Sequence, residues 1–217
     1  MRSARLARRL VVGAAVIALA VSLTPATASA SGSRPSGTRS LAQVLTRDTS
    51  GFDRNGYDYD ILTKAVLTVL QAKPGSPVKV LTDGSVALTA FIPNDRAFER
   101  LAQELTHARK LPSEKQAFGT VAGLGVNTVE AVLLYHVVPG ATIDKRTALR
   151  SDGAALTTAL GPAITVDVQR SRWYSRIRLI DADRNDRDPR VVRFNINKGN
   201  RQIAHGIDRV LRPIDLP

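Results

Sequence analysis

Apolar positions along the chain follow two periods. Over ILTKAVLTVLQA (61–72) they fall at Ile61, Leu62, Ala65, Val66, Val69 and Leu70, a spacing that predicts a helix with one buried stripe. Lys73-Pro74-Gly75 ends that helix, and Asp58 or Asp60 is expected to cap its start. LAQVLTRD (41–48) fits a shorter helix. Asn94 or Asp95 is expected to cap AFERLAQELTHA, which carries Phe98, Leu101, Ala102 and Leu105 on one side. Ser113-Glu-Lys-Gln116 and Asn127-Thr-Val-Glu130 are both capping-box patterns. The second box opens TVEAVLLYHV, with Val129, Val132, Leu133 and His136 in line and Pro139-Gly140 as the stop.

The other period is two. PVKVLTDGSVALTAFIP (77–93) predicts a hairpin turning at Asp83-Gly84, with VALTAFI as a buried strand. In the last third, ALTTAL, AITVDVQ, RIRLID, VVRFNI and RQIAHGIDRVL alternate or run apolar at strand length. Gly161-Pro162, 171–174 and 183–188 separate them. Helices first and strands later, within one domain, indicate an α+β architecture. No repeat at solenoid periods is present.

Composition changes the picture at the N-terminus. Arg2, Arg5, Arg8 and Arg9 precede an uncharged apolar run, Leu10 to Leu23, and Ala28-Ser29-Ala30 has the small-residue spacing of a cleavage site. This predicts a secretory signal peptide over 1–30, cleaved near Ala30, with Ala26-Thr27-Ala28 as a second register. The apolar run is short of the about 20 residues a membrane span needs, and no later stretch qualifies. The expected organisation is a leader (1–30), a flexible N-terminal segment (31–52), a folded domain (53–213) and a short tail (214–217). The chain contains no cysteine, which excludes disulfides and thiolate metal sites, so the fold must rest on its hydrophobic core.

The formal charge is +12, four units of it in the leader. A basic secreted chain suits anionic partners such as acidic cell-envelope polymers or lipid headgroups, rather than nucleic acid; solubility alone is the plainer reading. The charge concentrates in QRSRWYSRIRLIDADRNDRDPRVVR (169–193), with eight arginines, four aspartates and the only tryptophan. Arg170, Arg172, Trp173, Tyr174, Arg176 and Arg178 are candidate contacts for an anionic partner, through charge and stacking. The structural alternative is a twisted hairpin whose arginines line a solvated face.

Signals for catalysis or metal binding are weak. There is no Gly-x-Ser-x-Gly, no His-Glu-x-x-His and no glycine-rich phosphate loop. His107, His136 and His205 are far apart, and nothing favours a zinc site built from His136 and His205. DRNGYDYD (53–60) imitates a calcium loop at Asp53 and Asn55. It fails where Asp58 replaces the turn glycine and Lys64 the bidentate glutamate. DADRND (181–186) fails likewise at Asp186 and Val192. No catalytic or metal residue and no cofactor is expected. His136 is expected to bond backbone or side-chain groups across the core.

Three blocks then stand in order: FIPNDRAF (91–98), LLYHVVPG (133–140) and IAHGIDRVLRP (203–213). Together they resemble the fasciclin domain family, with its TxFAPTDxAF-type, YHVVPG and VIHVIDxVLxP blocks. The matching positions are Phe91, Pro93, Asn94, Asp95, Phe98, Tyr135, His136, Pro139, Gly140, His205, Ile207 and Asp208. The resemblance implies a single fasciclin-like domain: a β-sandwich or wedge of about seven strands with several helices packed on one edge. It also implies a generally non-enzymatic extracellular module of adhesion and matrix proteins, and the leader and composition point to a bacterial, actinobacterial source. The expected role is cell-surface adhesion or binding of a protein or polymer, with an anionic envelope polymer as the alternative partner and a metal-binding protein or enzyme using His136 or His205 as the remoter alternative. Two departures stand out: Gly206 replaces a branched residue, and Arg201-Gln202 replaces Asn-Gly.

Overall fold

β1 (Leu88–Pro93) is buried along its whole length because it is packed on both faces. Leu88, Ala90 and Ile92 join one apolar cluster with the helices, and Phe91 joins a second with the opposing sheet. A strand covered on both sides reads as a continuous apolar run, as VALTAFI does. The computed structural model describes residues 37–214, all within one compact unit. The expected leader lies outside the described residues.

The helices are α1 (Leu41–Leu45), α2 (Asp60–Ala72), α3 (Asp95–Thr106), α4 (Glu114–Gly123), α5 (Val126–Tyr135) and the short α6 (Lys145–Ala148). The remaining strands are β2 (Val137–Pro139), β3 (Ala155–Thr157), β4 (Ala163–Arg170), β5 (Ser175–Ile180), β6 (Val191–Ile196) and β7 (Gln202–Ile207). They form two sheets, ordered β2-β1-β7-β6 and β3-β4-β5. β1 and β7 run parallel, from Leu88 opposite Gln202 to Pro93 opposite Ile207, while β2 pairs antiparallel with β1. The three sequence blocks are therefore adjacent in space, their strand portions lying side by side as β2, β1 and β7. Helices α1 to α5 supply most of the first cluster, and the three-stranded sheet packs on the other face through Ile164, Val166, Val168, Ile177 and Leu179.

Four expectations give way to the structure. The segment before Asp83-Gly84 is not a strand but a 3₁₀ helix, Pro77–Thr82, opened by Pro77 and by the Ser76 side chain accepting the Val78 N–H at 3.2 Å. Gly84 is required by a close approach: a Cβ there would sit 1.7 Å from the Thr38 carbonyl oxygen.

The start of α2 is capped from elsewhere. Tyr59 occupies the cap position without a side-chain bond, and the Asp95 carboxylate accepts the N–H groups of Asp60 and Ile61 at 3.0 and 2.9 Å. Asn94 caps α3 through the Ala97 N–H at 3.0 Å, which leaves Asp95 free for this second task.

The Asn127 capping box does not form. α5 starts two residues earlier, behind Gly125, whose φ of 86° suits glycine, and Glu130 pairs with Lys73 instead. The Ser113 box forms as its pattern predicts.

Finally, the described part of the segment taken as a flexible lead-in is packed. Arg39 donates its N–H to the Asn200 side chain at 2.9 Å, and Leu41 donates to that of Gln202 at 2.8 Å. Leu41 and Leu45 are buried in the main core. A five-residue helix has too little apolar surface to announce a tertiary dock in sequence.

Candidate functional site

His136 is the C-cap residue of α5, leading directly into β2, and is only 4% exposed. Its Nδ1 lies 2.7 Å from the Val132 carbonyl, and its Nε2 accepts the Leu211 N–H at 2.9 Å. The Leu211 bond requires an unprotonated Nε2, so the proton sits on Nδ1 and is donated to Val132. Burial holds the imidazole down at about 4, well below its ordinary value, so the ring is neutral. It ties α5 to the chain that follows β7.

His205, on β7, is also fully buried. Its Nε2 faces the Ile143 carbonyl at 2.8 Å, and its Nδ1 accepts the Asn195 N–H at 3.3 Å. Phe91 and Phe194 flank the ring at 5.9 and 5.4 Å. Both histidines thus have both nitrogens engaged, and neither offers a lone pair to a metal or a substrate. Tyr135 is buried as well; its hydroxyl donates to the Ala163 carbonyl at 3.2 Å, and burial pushes the phenol up to about 12. The Tyr-His pair lies inside the molecule and presents nothing to a partner.

The other block residues hold backbone. Phe98 packs in the core, and Gly140 turns the chain after Pro139 at φ 79°. Asp208 accepts the Arg190 N–H at 2.7 Å through its carboxylate and an Arg100 N–H at 2.9 Å through its carbonyl.

The acidic turn 181–186 closes on a cation, but the cation is Arg212. Its guanidinium pairs with Asp186 at 3.3 Å, Asp183 at 3.5 Å and Glu104, and its N–H donates to Asp181 at 2.8 Å. Burial pushes the Asp181 carboxyl up to about 7, against the opposing effect of the Arg212 N–H bond. Sequence reading missed this network because its centre lies near the chain's end, far from the turn it neutralises.

The basic hairpin divides in two. β4 and β5 alternate as expected: Ile177 and Leu179 are buried, while Arg176 and Arg178 face outward. Arg178 is engaged by Asp167 at 2.8 Å and Asp188 at 3.4 Å, and Arg170 by the Leu149 carbonyl at 2.7 Å and Asp152 at 3.4 Å. At the tip, Ser171 accepts the Trp173 and Tyr174 N–H groups on its hydroxyl. Trp173 is 84% exposed, with the Arg172 guanidinium 5.2 Å from its ring centre; Arg176 lies 4.3 Å over Tyr174. Among the described residues, Arg172 and Arg176 have no carboxylate partner.

Comparison with known proteins bears on the fold and the family. No curated protein matches the chain. Among solved structures, it is similar to one described as "Novel Fold Revealed by the Structure of a FAS1 Domain Pair from the Insect Cell Adhesion Molecule Fasciclin I". The TM-score is 0.55 at 15% identity, over 81% of this chain and 51% of that one, so the chain spans about half the length of that domain pair. The family model for the fasciclin domain, an adhesion-associated module, matches residues 62–213. Three blocks brought together as neighbouring strands, two sheets flanked by helices, and a family match over most of the chain agree: the chain belongs to the fasciclin domain family.

Proposed function

We propose that this chain is a secreted, non-enzymatic binding module whose contact is the tip of the β4–β5 hairpin and whose partner is an anionic polymer of the cell envelope. The observation that carries this reading is the tip itself. An exposed tryptophan and a half-exposed tyrosine, each beside an arginine with no carboxylate partner, crown a strongly basic chain. Exposed aromatics on a hydrogen-bonded turn supply contact area, and arginine adds charge and stacking to an anionic, hydroxyl-rich chain. The engagement of both buried histidines argues against chemistry at the Tyr-His block. Among the described residues, no single helix is long and apolar enough to cross a membrane.

The reading is tested by binding of the purified protein to anionic and neutral envelope polysaccharides at several salt concentrations. Retention on the anionic polymer alone, weakening roughly tenfold or more between low and high salt, is the expected result. Binding that ignores ionic strength, or that favours the neutral polymer, overturns it.

A further inference from the structure

Five carboxylates meet where the loop before α2 packs against the starts of α3 and α4. Asp53, Asp58 and Asp60 come from the loop and its junction with α2, Asp95 opens α3, and Glu114 opens α4. Ligand oxygens of Asp58, Asp95 and Glu114 lie within 4.8 Å of one another, as do those of Asp53, Asp58 and Asp60, so Asp58 belongs to both groups. Among the described residues, no lysine or arginine forms an ion pair with any of the five.

A second observation points to a ligand. Asp60 is only 7% exposed, and its Oδ2 is buried without a hydrogen-bond partner. Both carboxylate oxygens of Asp58 are buried too, against the Asp95 carboxyl with which Asp58 interacts. Buried acceptors are normally satisfied, and a buried carboxylate needs a counter-charge. Asp95 and Glu114 are already oriented. Asp95 is fixed by two N–H groups of α2, and Glu114 by the N–H groups of Asp53 and Arg54 at 2.7 and 3.0 Å. A carboxylate oxygen has two lone pairs, so each remains able to bind an ion. Burial and the neighbouring carboxylates push Asp60 up to about 6 and hold Asp95 well above the usual range, as expected where negative charge lacks compensation. Asp58 also lines an open cleft with Arg47, Asp48, Tyr59 and Arg193, which gives an ion a route from solvent.

We propose that Asp53, Asp58, Asp60, Asp95 and Glu114 form a calcium site centred on Asp58. The donors are all oxygen, which selects a hard cation. Calcium accepts many carboxylates in a flexible arrangement at about 2.4 Å, so opposed ligands stand about 4.8 Å apart; magnesium requires shorter bonds and keeps most of its water. The site is not an EF-hand. Two of its ligands come from helix starts remote in sequence, and binding would lock the loop at 53–60 onto α3 and α4.

The test is thermal unfolding of the chelator-treated protein with calcium, with magnesium and with chelator alone, alongside Asp58→Asn. Asn keeps the size of Asp58, can still hydrogen-bond the Asp95 carboxylate and leaves the backbone bonds of residue 58 in place, so the variant should fold. Millimolar calcium is expected to raise the wild-type Tm by several degrees and to leave Asp58→Asn unmoved, while the variant exceeds the wild type in chelator. Equal Tm values for the wild type with and without calcium overturn the site, as does an undiminished shift in the variant. An equal shift from magnesium overturns the calcium assignment. Should the variant fail to fold, equilibrium dialysis of the wild type decides. Saturable uptake of about one calcium per chain supports the site, and no uptake at millimolar calcium overturns it.

Discussion

The Tyr59 hydroxyl fills the space in which residue 206 would carry a side chain: a Cβ on Gly206 would lie 2.4 Å from that oxygen. The glycine on β7 and the tyrosine before α2 are a matched pair, and the departure from the family's branched residue is the room the hydroxyl needs. Gly206→Ala is expected to cost about 1–3 kcal/mol by overpacking. With the hydroxyl gone the ring carbon would stand at 3.5 Å, an ordinary contact, while the Arg193 Cβ at 3.1 Å stays tight, so Tyr59→Phe should restore part of the loss. Urea unfolding of the two single variants and the double variant measures this coupling directly.

His136→Ala removes the acceptor of the buried Leu211 N–H and the donor to Val132. An orphaned buried donor plus a small cavity predicts a loss of about 3 kcal/mol, readable by chemical denaturation.

The same ring sets a pH dependence. Unfolded, the imidazole titrates near 6.5; folded, near 4. Below 6.5 the unfolded chain takes up a proton that the folded chain refuses, so stability falls as pH drops from 6.5 to 4, by about 3 kcal/mol from this group. Asp181 acts with the opposite sign: its folded carboxyl, raised to about 7, contributes stability at acid pH that is lost as pH rises toward 7. Comparing wild type with His136→Gln isolates the histidine. The variant's Tm should fall less steeply across that window, by roughly one proton's worth of slope.

Arg212→Ala strands the buried Asp183 and Asp186 around a missing cation, while Glu104 keeps Arg209. Removing one partner from a buried ionic cluster costs about 3–5 kcal/mol, far more than an exposed pair would. Equilibrium unfolding, with an exposed-pair control such as Arg170→Ala, checks the contrast.

At the hairpin tip the expectation reverses. Arg172→Glu and Arg176→Glu touch no buried group, so stability should stay within about 0.5 kcal/mol of wild type. Retention on an anionic polymer should fall at least roughly tenfold, and Trp173→Ala should weaken it without changing its salt dependence. Unchanged retention in all three variants removes the tip as the contact.

The sequence by itself determined the architecture. The helical stripe of α2, the doubly buried run of β1, the alternation of β4 and β5, and three blocks in order were legible because each is written over a few neighbouring residues. The tertiary structure alone decided what those residues touch. Asp95 caps a helix other than its own, Gly84 yields to Thr38, and Arg212 neutralises an acidic turn far from it in sequence. The loop that truly gathers unpaired carboxylates does so only with Asp95 and Glu114, far along the chain. Periodicity reports which face a residue shows, because burial is local to its element. Electrostatic balance depends on distances between elements, and those exist only once the chain has folded.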